Sequence, residues 1–373
     1  QYHIKITDLR GQSADTVESH LSAIRKSLES QILKAGQWPP FDVRATLFDD
    51  KCIRFHFSLD VVVFDAQSQQ IIWHELDQFF KDPELELPPI ELSFRDYVLA
   101  ETKIKESNLY KTSREYWINR LAEIPPAPDL PLAIEPASLK KPKFSDRTFS
   151  LQPEIWNVLK IKASQAGLTP SNLLLGAFAE ILSFWSKKPQ YTINLTHFNR
   201  HSLHPQVGDI VGDFTSVLLV PIDNSIETDF SARAKAIQKK LWQGMENRYF
   251  SGIQVLRELA RQKGQGAPMI MPIVFTSIIG SDLKLDTTAS DISNDMLSKV
   301  VYVTSQTPQV LLDNQVQQRG KTLVINWWAL DDVFPDGLLD DMFDGYCYLL
   351  KRLAQDDEAW QESPLQLIPG GQL

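Results

Sequence analysis

Cysteine is scarce in this chain of 373 residues, with Cys52 and Cys347 the only two. That count excludes a disulfide framework and a four-cysteine zinc site, and makes a reducing cytoplasm the expected compartment. Basic charge is also in deficit, 38 Lys and Arg against 47 Asp and Glu, for a net charge of −9. Nucleic acids and anionic membrane surfaces call for the opposite balance, so neither is expected as a partner. No apolar run approaches the roughly 18 to 20 residues of a membrane-spanning helix, and the first residues lack the basic, apolar and small-residue succession of a signal peptide. The 16 glycines never gather into a phosphate-cradling loop before a helix, there is no G-x-S-x-G elbow, and neither cysteine sits where it would be activated as a nucleophile. Nucleotide sites and hydrolase triads are unsupported.

What is present alternates between two periodicities. Tyr2, Ile4 and Ile6 recur at every second residue as in a strand, although the chain opens on Gln1 with no initiator Met, which reads as an excised piece of a longer polypeptide. Ser13 and Asp15 cap a helix carrying Val17, Leu21, Ile24, Leu28 and Ile32. Paired strands are expected over 41–48 and 52–59, a helix over 67–80, and one long, mostly polar helix over 94–121. Between Glu123 and Asp146 fall Pro125, Pro126, Pro128, Pro131, Pro136 and Pro142, a density that reads as an extended connector. The expected lobes are therefore 1–146, ending in the connector 123–146, and 147–373.

Beyond the connector, Thr169-Pro170 opens a strongly apolar helix through Leu173, Leu174, Leu175, Ala177, Phe178, Ile181 and Leu182 to Trp185. Strand-like runs follow at 191–195, 216–221, 271–277, 300–303, 310–313 and 322–328, with helices near 231–248 and 338–354. Without a regular repeat, each half reads as an α/β (α+β) layer structure.

Several polar constellations stand out. Asp60 and Asp65 lie at a strand end before a helix, where two carboxylates can do acid/base work, cap the helix or hold an arginine. His197, His201 and His204 form an H-x3-H-x2-H cluster, but Asn199, Arg200 and Pro205 around them look like a loop, so ordinary loop histidines rather than a metal site are expected. Val211-Gly212-Asp213-Phe214-Thr215 precedes a strand, Pro272 to Ser277 places Thr276 at a strand end, and Gln306 to Asp313 ends a strand in a carboxylate. Such polar groups either satisfy one another inside the fold or do chemistry.

Taken in order, these segments resemble the heterocyclization domains of nonribosomal peptide synthetases, members of the condensation-domain superfamily, over essentially the whole chain. Asp60 and Asp65 are similar to the D-x4-D signature that replaces H-H-x3-D-G of ordinary condensation domains, with Val61 where the functional histidine would stand. Pro128-Asp129-Leu130-Pro131-Leu132, the Thr169-Pro170 helix ending at Trp185, Gly212 to Thr215, Pro272 to Ser277, Ser305 to Asp313 and Trp327-Trp328 resemble further motifs of the family. Its two opening motifs are absent, so the first lobe is expected to be incomplete at its start.

The resemblance implies two chloramphenicol-acetyltransferase-like lobes in a V-shaped pseudo-dimer, with a central tunnel reached by a carrier protein from each side. It implies condensation of an upstream acyl thioester with carrier-bound Cys, Ser or Thr, then cyclodehydration to a thiazoline or oxazoline. The substrates arrive on phosphopantetheine arms, no cofactor or metal is bound by the domain itself, and an adenylation domain adjoins, with the residues from Pro364 to Leu373 as the exit linker. Asp313 is implied as the proton-transfer group, Thr276 as its hydrogen-bonding partner and Asn199 as a carbonyl or oxyanion ligand. Asp60, Asp65, Arg200, Gln309, Ser277 and Asp213 are implied as structural or tunnel residues, with Asp65 paired to Arg200. The alternatives are a condensation-only domain that forms a linear amide and a non-catalytic scaffold that docks carriers.

Overall fold

The computed structural model describes residues 2–29, 31–34, 36–49, 52–139, 142–262, 271–279, 300–363, 365 and 367. Most of the expected exit linker lies outside them. Contacts divide the chain into two units, Gln1–Tyr97 with Ser202–Phe214, and Val98–His201 with Thr215–Leu373. This division differs from the boundary expected near Arg147. The proline-rich segment belongs to the second unit because a proline removes a donor but keeps its carbonyl. Pro125 and Pro126 accept from the Thr192 hydroxyl and amide at 2.6 and 2.8 Å, and Ala133 N donates to Val333 O at 2.8 Å. An extended strap results.

In the first unit, β1 (Lys5–Asp8) lies parallel to β2 (Phe41–Leu47), which pairs antiparallel with β3 (Ile53–Leu59). Two helices belong to it, α1 (Ala14–Glu29) and α2 (Ala66–Lys81), and Phe57 of β3 meets Trp73 of α2 edge-on at 4.5 Å. The single helix expected over 94–121 is two, α3 (Phe94–Ile104) and α4 (Asn108–Ile118). The break has a local cause that the periodicity hides: Ser107 adopts extended backbone and its hydroxyl accepts from Tyr110 N, as an N-cap does.

The second unit is built on a six-stranded sheet in the order β4-β9-β8-β7-β5-β6. Its strands are β4 (Ser145–Leu151), β5 (Gln190–Phe198), β6 (Thr215–Asp223), β7 (Ile273–Ile278), β8 (Leu312–Arg319) and β9 (Thr322–Ala329). The central trio β5, β7 and β8 is parallel, and the outer pairings are antiparallel. Besides α4 and most of α3, its helices among the described residues are α5 (Pro153–Gln165), α6 (Pro170–Trp185), α7 (Phe230–Glu246), α8 (Gly252–Gln262) and α9 (Leu338–Gln355). No helix is expected from the sequence where α8 stands. The expected strand at Val300–Val303 does not form; those residues are exposed and have no regular structure.

Helix α6 is the hub. Every residue from Asn172 to Leu182 is buried, and all but Asn172 and Glu180 are non-polar, the pattern of a helix enclosed by other layers. Each fully buried Leu or Phe contributes about 1.5–3 kcal/mol relative to exposure, so this element is a major contributor to the unit's stability. Thr169 starts it, its hydroxyl accepting from Asn172 N, with Pro170 in the first turn where a missing N–H costs nothing. Phe178 then packs against Phe275, Trp327 and Tyr346, tying the helix to the sheet and to α9.

One contact in this unit is close enough to predict a cost. A Cβ on Gly252 would lie 2.5 Å from the backbone oxygen of Val217, so either α8 or β6 must move to admit one. Gly252→Ala is expected to destabilise the unit by about 1–3 kcal/mol, measured by chemical denaturation. Gly320→Ala, in open space, is the control; its positive φ brings only local strain.

Candidate active site

Strand alternation sorts the side chains of the sheet. Phe275, Leu312, Asn314, Val316 and Trp327 face the helices and are fully enclosed. Their neighbours one residue away, Thr276, Asp313, Gln315, Asn326 and Trp328, therefore share the opposite face. Across it, register aligns Thr148, Asn326, Gln315, Thr276 and Thr196 on five successive strands, a polar row on a sheet whose other face is mostly apolar.

The pair singled out from sequence meets there. Pro272 O accepts from both Leu311 N and Leu312 N, which aligns the starts of β7 and β8 and sets Asp313 beside Val274. Thr276 Oγ1 then donates to Asp313 Oδ1 at 3.1 Å, and Gln315 Nε2 donates to Asp313 Oδ2 at 2.7 Å. Asp313 and Thr276 are only 7% and 8% exposed. Burial raises the Asp313 pKa above the ordinary carboxylate value, opposed by the hydrogen bonds from Gln315 and Thr276. Neither donor is charged. A carboxylate so placed holds a proton more readily than one in water, which is what proton transfer at neutral pH requires.

One detail departs from the sequence reading. Asp313 stands near the start of its strand, not at the end, because residues 307–310 form a turn closed by Val310 N donating to Thr307 O. With Pro308 second and Gln309 third at φ 68°, this is a type II turn. A non-glycine residue in that left-handed position is strained, and here it delivers the chain into β8.

Asn199 follows β5 directly, three positions beyond Thr196, the register partner of Thr276. Along a strand that displacement is roughly 10 Å. Ser277, one residue past Thr276, contacts Ser171 of α6 hydroxyl to hydroxyl at 2.8 Å. Gln315 was missed in the sequence, although its place two residues after Asp313 is the signal that strand alternation offers.

The two aspartates of the D-x4-D signature have local roles in the first unit. Asp60 Oδ1 accepts from Val62 N at 3.0 Å in the turn after β3. Asp65 caps α2, its Oδ1 accepting from Ser68 N at 2.7 Å and from the Ser68 hydroxyl at 2.6 Å. The same hydroxyl accepts from Gly212 N at 3.0 Å, and Asp65 N donates to Gly212 O at 3.3 Å. Here Gly212 is required sterically, since a Cβ would sit 2.2 Å from the Phe94 ring. Its neighbours Asp213 and Phe214 also lie in the first unit, Phe214 packing edge-on to Phe94 and Tyr97. Arg200 belongs to the second unit.

The three histidines occupy different surroundings. His197 is buried, its pKa driven down to about 4 by burial first and then by Arg248 and His201, so it is neutral near pH 7. His201 stacks on Tyr249 at 5.0 Å, and His204 Nδ1 accepts from Gln206 N. Among the described residues no group of three His, Cys, Asp or Glu side chains could hold a metal, and no helix is long and apolar enough to cross a membrane.

The Condensation domain family matches residues 1–369. This chain belongs to that family. The condensation domain is 36% identical to pyochelin synthetase PchF of Pseudomonas aeruginosa over 95% of its length and 20% of the relative's. It is 31% identical to phenyloxazoline synthase MbtB of Mycobacterium tuberculosis, over all of this chain and 26% of that protein. The chain thus spans about a quarter or less of these curated relatives. Among solved structures it superposes on the cyclization-docking bidomain of the nonribosomal peptide synthetase EpoB from Sorangium cellulosum with a TM-score of 0.86 and 38% identity, covering 97% of this chain and 72% of that one. The mixed α/β, chloramphenicol-acetyltransferase-like fold expected from the motifs is the fold of this domain.

Proposed function

We propose that this condensation domain performs heterocyclization. The amine of a carrier-bound Cys, Ser or Thr attacks an upstream acyl thioester, forming the amide and releasing the upstream carrier thiol. The side-chain thiol or hydroxyl of the same residue then adds to the new amide carbonyl, closing a five-membered ring. Loss of the former carbonyl oxygen as water, with the nitrogen's proton, leaves the C=N bond of a thiazoline or oxazoline.

The observation that carries this reading is the buried Thr276–Asp313 pair. Ring closure requires a group that takes the nucleophile's proton and returns one to the departing oxygen, and Asp313 is a carboxylate of raised pKa held by two neutral donors. Thr276 orients it, and Asn199 is assigned to the carbonyl or the tetrahedral oxygen. Val61 stands in the D-x4-D segment, where no proton-carrying side chain lies between the aspartates. The names of the relatives support the same chemistry, one an oxazoline synthase and one a cyclization domain. The implied partners are donor and acceptor carrier proteins, with an adenylation domain adjoining.

The test is mass spectrometry of the acceptor carrier's phosphopantetheine arm after turnover in an intact module. Heterocyclization is expected to give a product one water lighter than the linear amide. A linear amide as the final product would leave a condensation-only domain, and no acyl transfer would leave a docking scaffold.

A further inference from the structure

Asp313 is held at both oxygens, and only one of its two holders is accounted for by the reading above. Gln315 lies on the same strand two residues along, so it shares the face of Asp313, and its amide nitrogen reaches Oδ2 at 2.7 Å, a shorter contact than the 3.1 Å from Thr276. Register places Gln315 directly between Thr276 on β7 and Asn326 on β9, and Asn326 Oδ1 in turn accepts from Thr148 Oγ1 at 2.9 Å. The glutamine is thus part of a polar row, in a position where the alternation would equally admit an apolar side chain.

We propose that Gln315 is a positioning residue for cyclodehydration, fixing the plane of the Asp313 carboxylate by holding Oδ2 while Thr276 holds Oδ1. This rests on the assignment of Asp313 to proton transfer. The torsion that turns a carboxylate about its last bond is broad and nearly two-fold, so one hydrogen bond leaves the plane free to swing. A second donor on the other oxygen removes that freedom. Each oxygen keeps one lone pair, and both point in fixed directions. A donor to an ionised acceptor is also stronger than one between neutral groups. Gln315 does not touch the reacting atoms in this scheme. It acts through Asp313.

The groups that set the Asp313 equilibrium among the described residues are Thr276 from β7 and Gln315 from β8, both neutral, with burial acting against them. Trp328, its register partner on β9, carries no charge. Removing the Gln315 donor therefore leaves burial less opposed, and ionisation of Asp313 moves to higher pH. Replacing it with a carboxylate moves it further, because two acids at hydrogen-bond distance resist double ionisation.

The experiment compares Gln315→Leu and Gln315→Glu with wild type in an intact module, following linear amide and heterocycle separately against pH. Amide formation is expected to persist in both variants. Heterocycle formation is expected to fall roughly 100-fold, as for a misplaced catalytic group, with its acid limb displaced upward in the Leu variant and further in the Glu variant. An acid limb that stays in place, or loss of both stages together, overturns the proposal and reduces Gln315 to packing. Asp313→Asn separates this failure from that of the underlying reading. If that variant still closes the ring, the assignment of Asp313 itself is wrong; if it does not while Gln315→Leu does at the wild-type rate, only the role of Gln315 falls.

Discussion

Asp313→Asn in an intact module is expected to yield linear amide in place of heterocycle, with ring formation down by about 10²- to 10⁴-fold and amide formation retained. That range is what a positioned acid/base group contributes to a rate. The asparagine keeps the size of the side chain and can still meet Thr276 or Gln315, but its amide neither takes up nor gives up a proton as an acid or base at the pH of the reaction. Thr276→Val removes the weaker-seated donor, at 3.1 Å, and leaves the carboxylate, so a smaller loss of about 10-fold is expected. Product ratios by mass spectrometry separate the two stages. Full heterocycle yield from Asp313→Asn would refute the assignment.

The same variant has an opposite signature in stability. Because the Asp313 pKa is raised on folding, the stability associated with its protonated form is complete below the ordinary carboxylate pKa and is lost as pH rises through the raised value. Asparagine stays neutral and does not incur that loss. The variant is therefore expected to unfold at a higher temperature than wild type near neutral pH, with the difference shrinking as pH falls below the ordinary carboxylate range. A carboxylate retained for folding would behave the other way.

The largest effect on stability is expected at Arg233. Its guanidinium, on α7, forks onto Glu180 of α6 through Nε to Oε1 at 2.7 Å and Nη2 to Oε2 at 3.0 Å, and it also donates to Thr228 O. Both residues are buried, 8% exposed each. Burial raises the Glu180 pKa against the hydrogen bonds and charge of Arg233, so the arginine is what keeps an ionised carboxylate tolerable inside this helix pair. Arg233→Met leaves the charge uncompensated and should cost about 3–5 kcal/mol at neutral pH. The cost should diminish in acid, where the orphaned Glu180 takes up a proton. Pairing it with Glu180→Leu should restore most of the loss, since an apolar pair avoids the desolvation that the ion pair must overcome. Denaturant titrations of the three variants across pH decide the matter, and an equally unstable double variant would show that the ion pair is not the cause.

Much of this was legible in the chain itself. The apolar run from Leu173 to Leu182 announces a helix enclosed on all sides, and Thr169-Pro170 marks its start, because caps and periodicity are written in neighbouring residues. Thr276 and Asp313 were likewise recognisable from their motifs. Other features were not. The single helix read over 94–121 is divided by Ser107, whose hydroxyl competes for a backbone N–H within an otherwise helical pattern. The exposed run Val300–Val303 has strand composition but no regular structure, since β propensity depends on context more than on the residues themselves.

By itself, then, the sequence determined the family, the alternation of helices and strands, and the residue types available for proton transfer. Only the tertiary structure decided that Thr276 and Asp313, 37 positions apart, share a hydrogen bond, and that Gln315 completes the grip on the carboxylate. Periodicity reports which side of its own strand a residue occupies. Which residue of another strand stands beside it depends on register, and register here is set by long-range pairing: Pro272 O receiving the amides of Leu311 and Leu312, after a turn strained at Gln309.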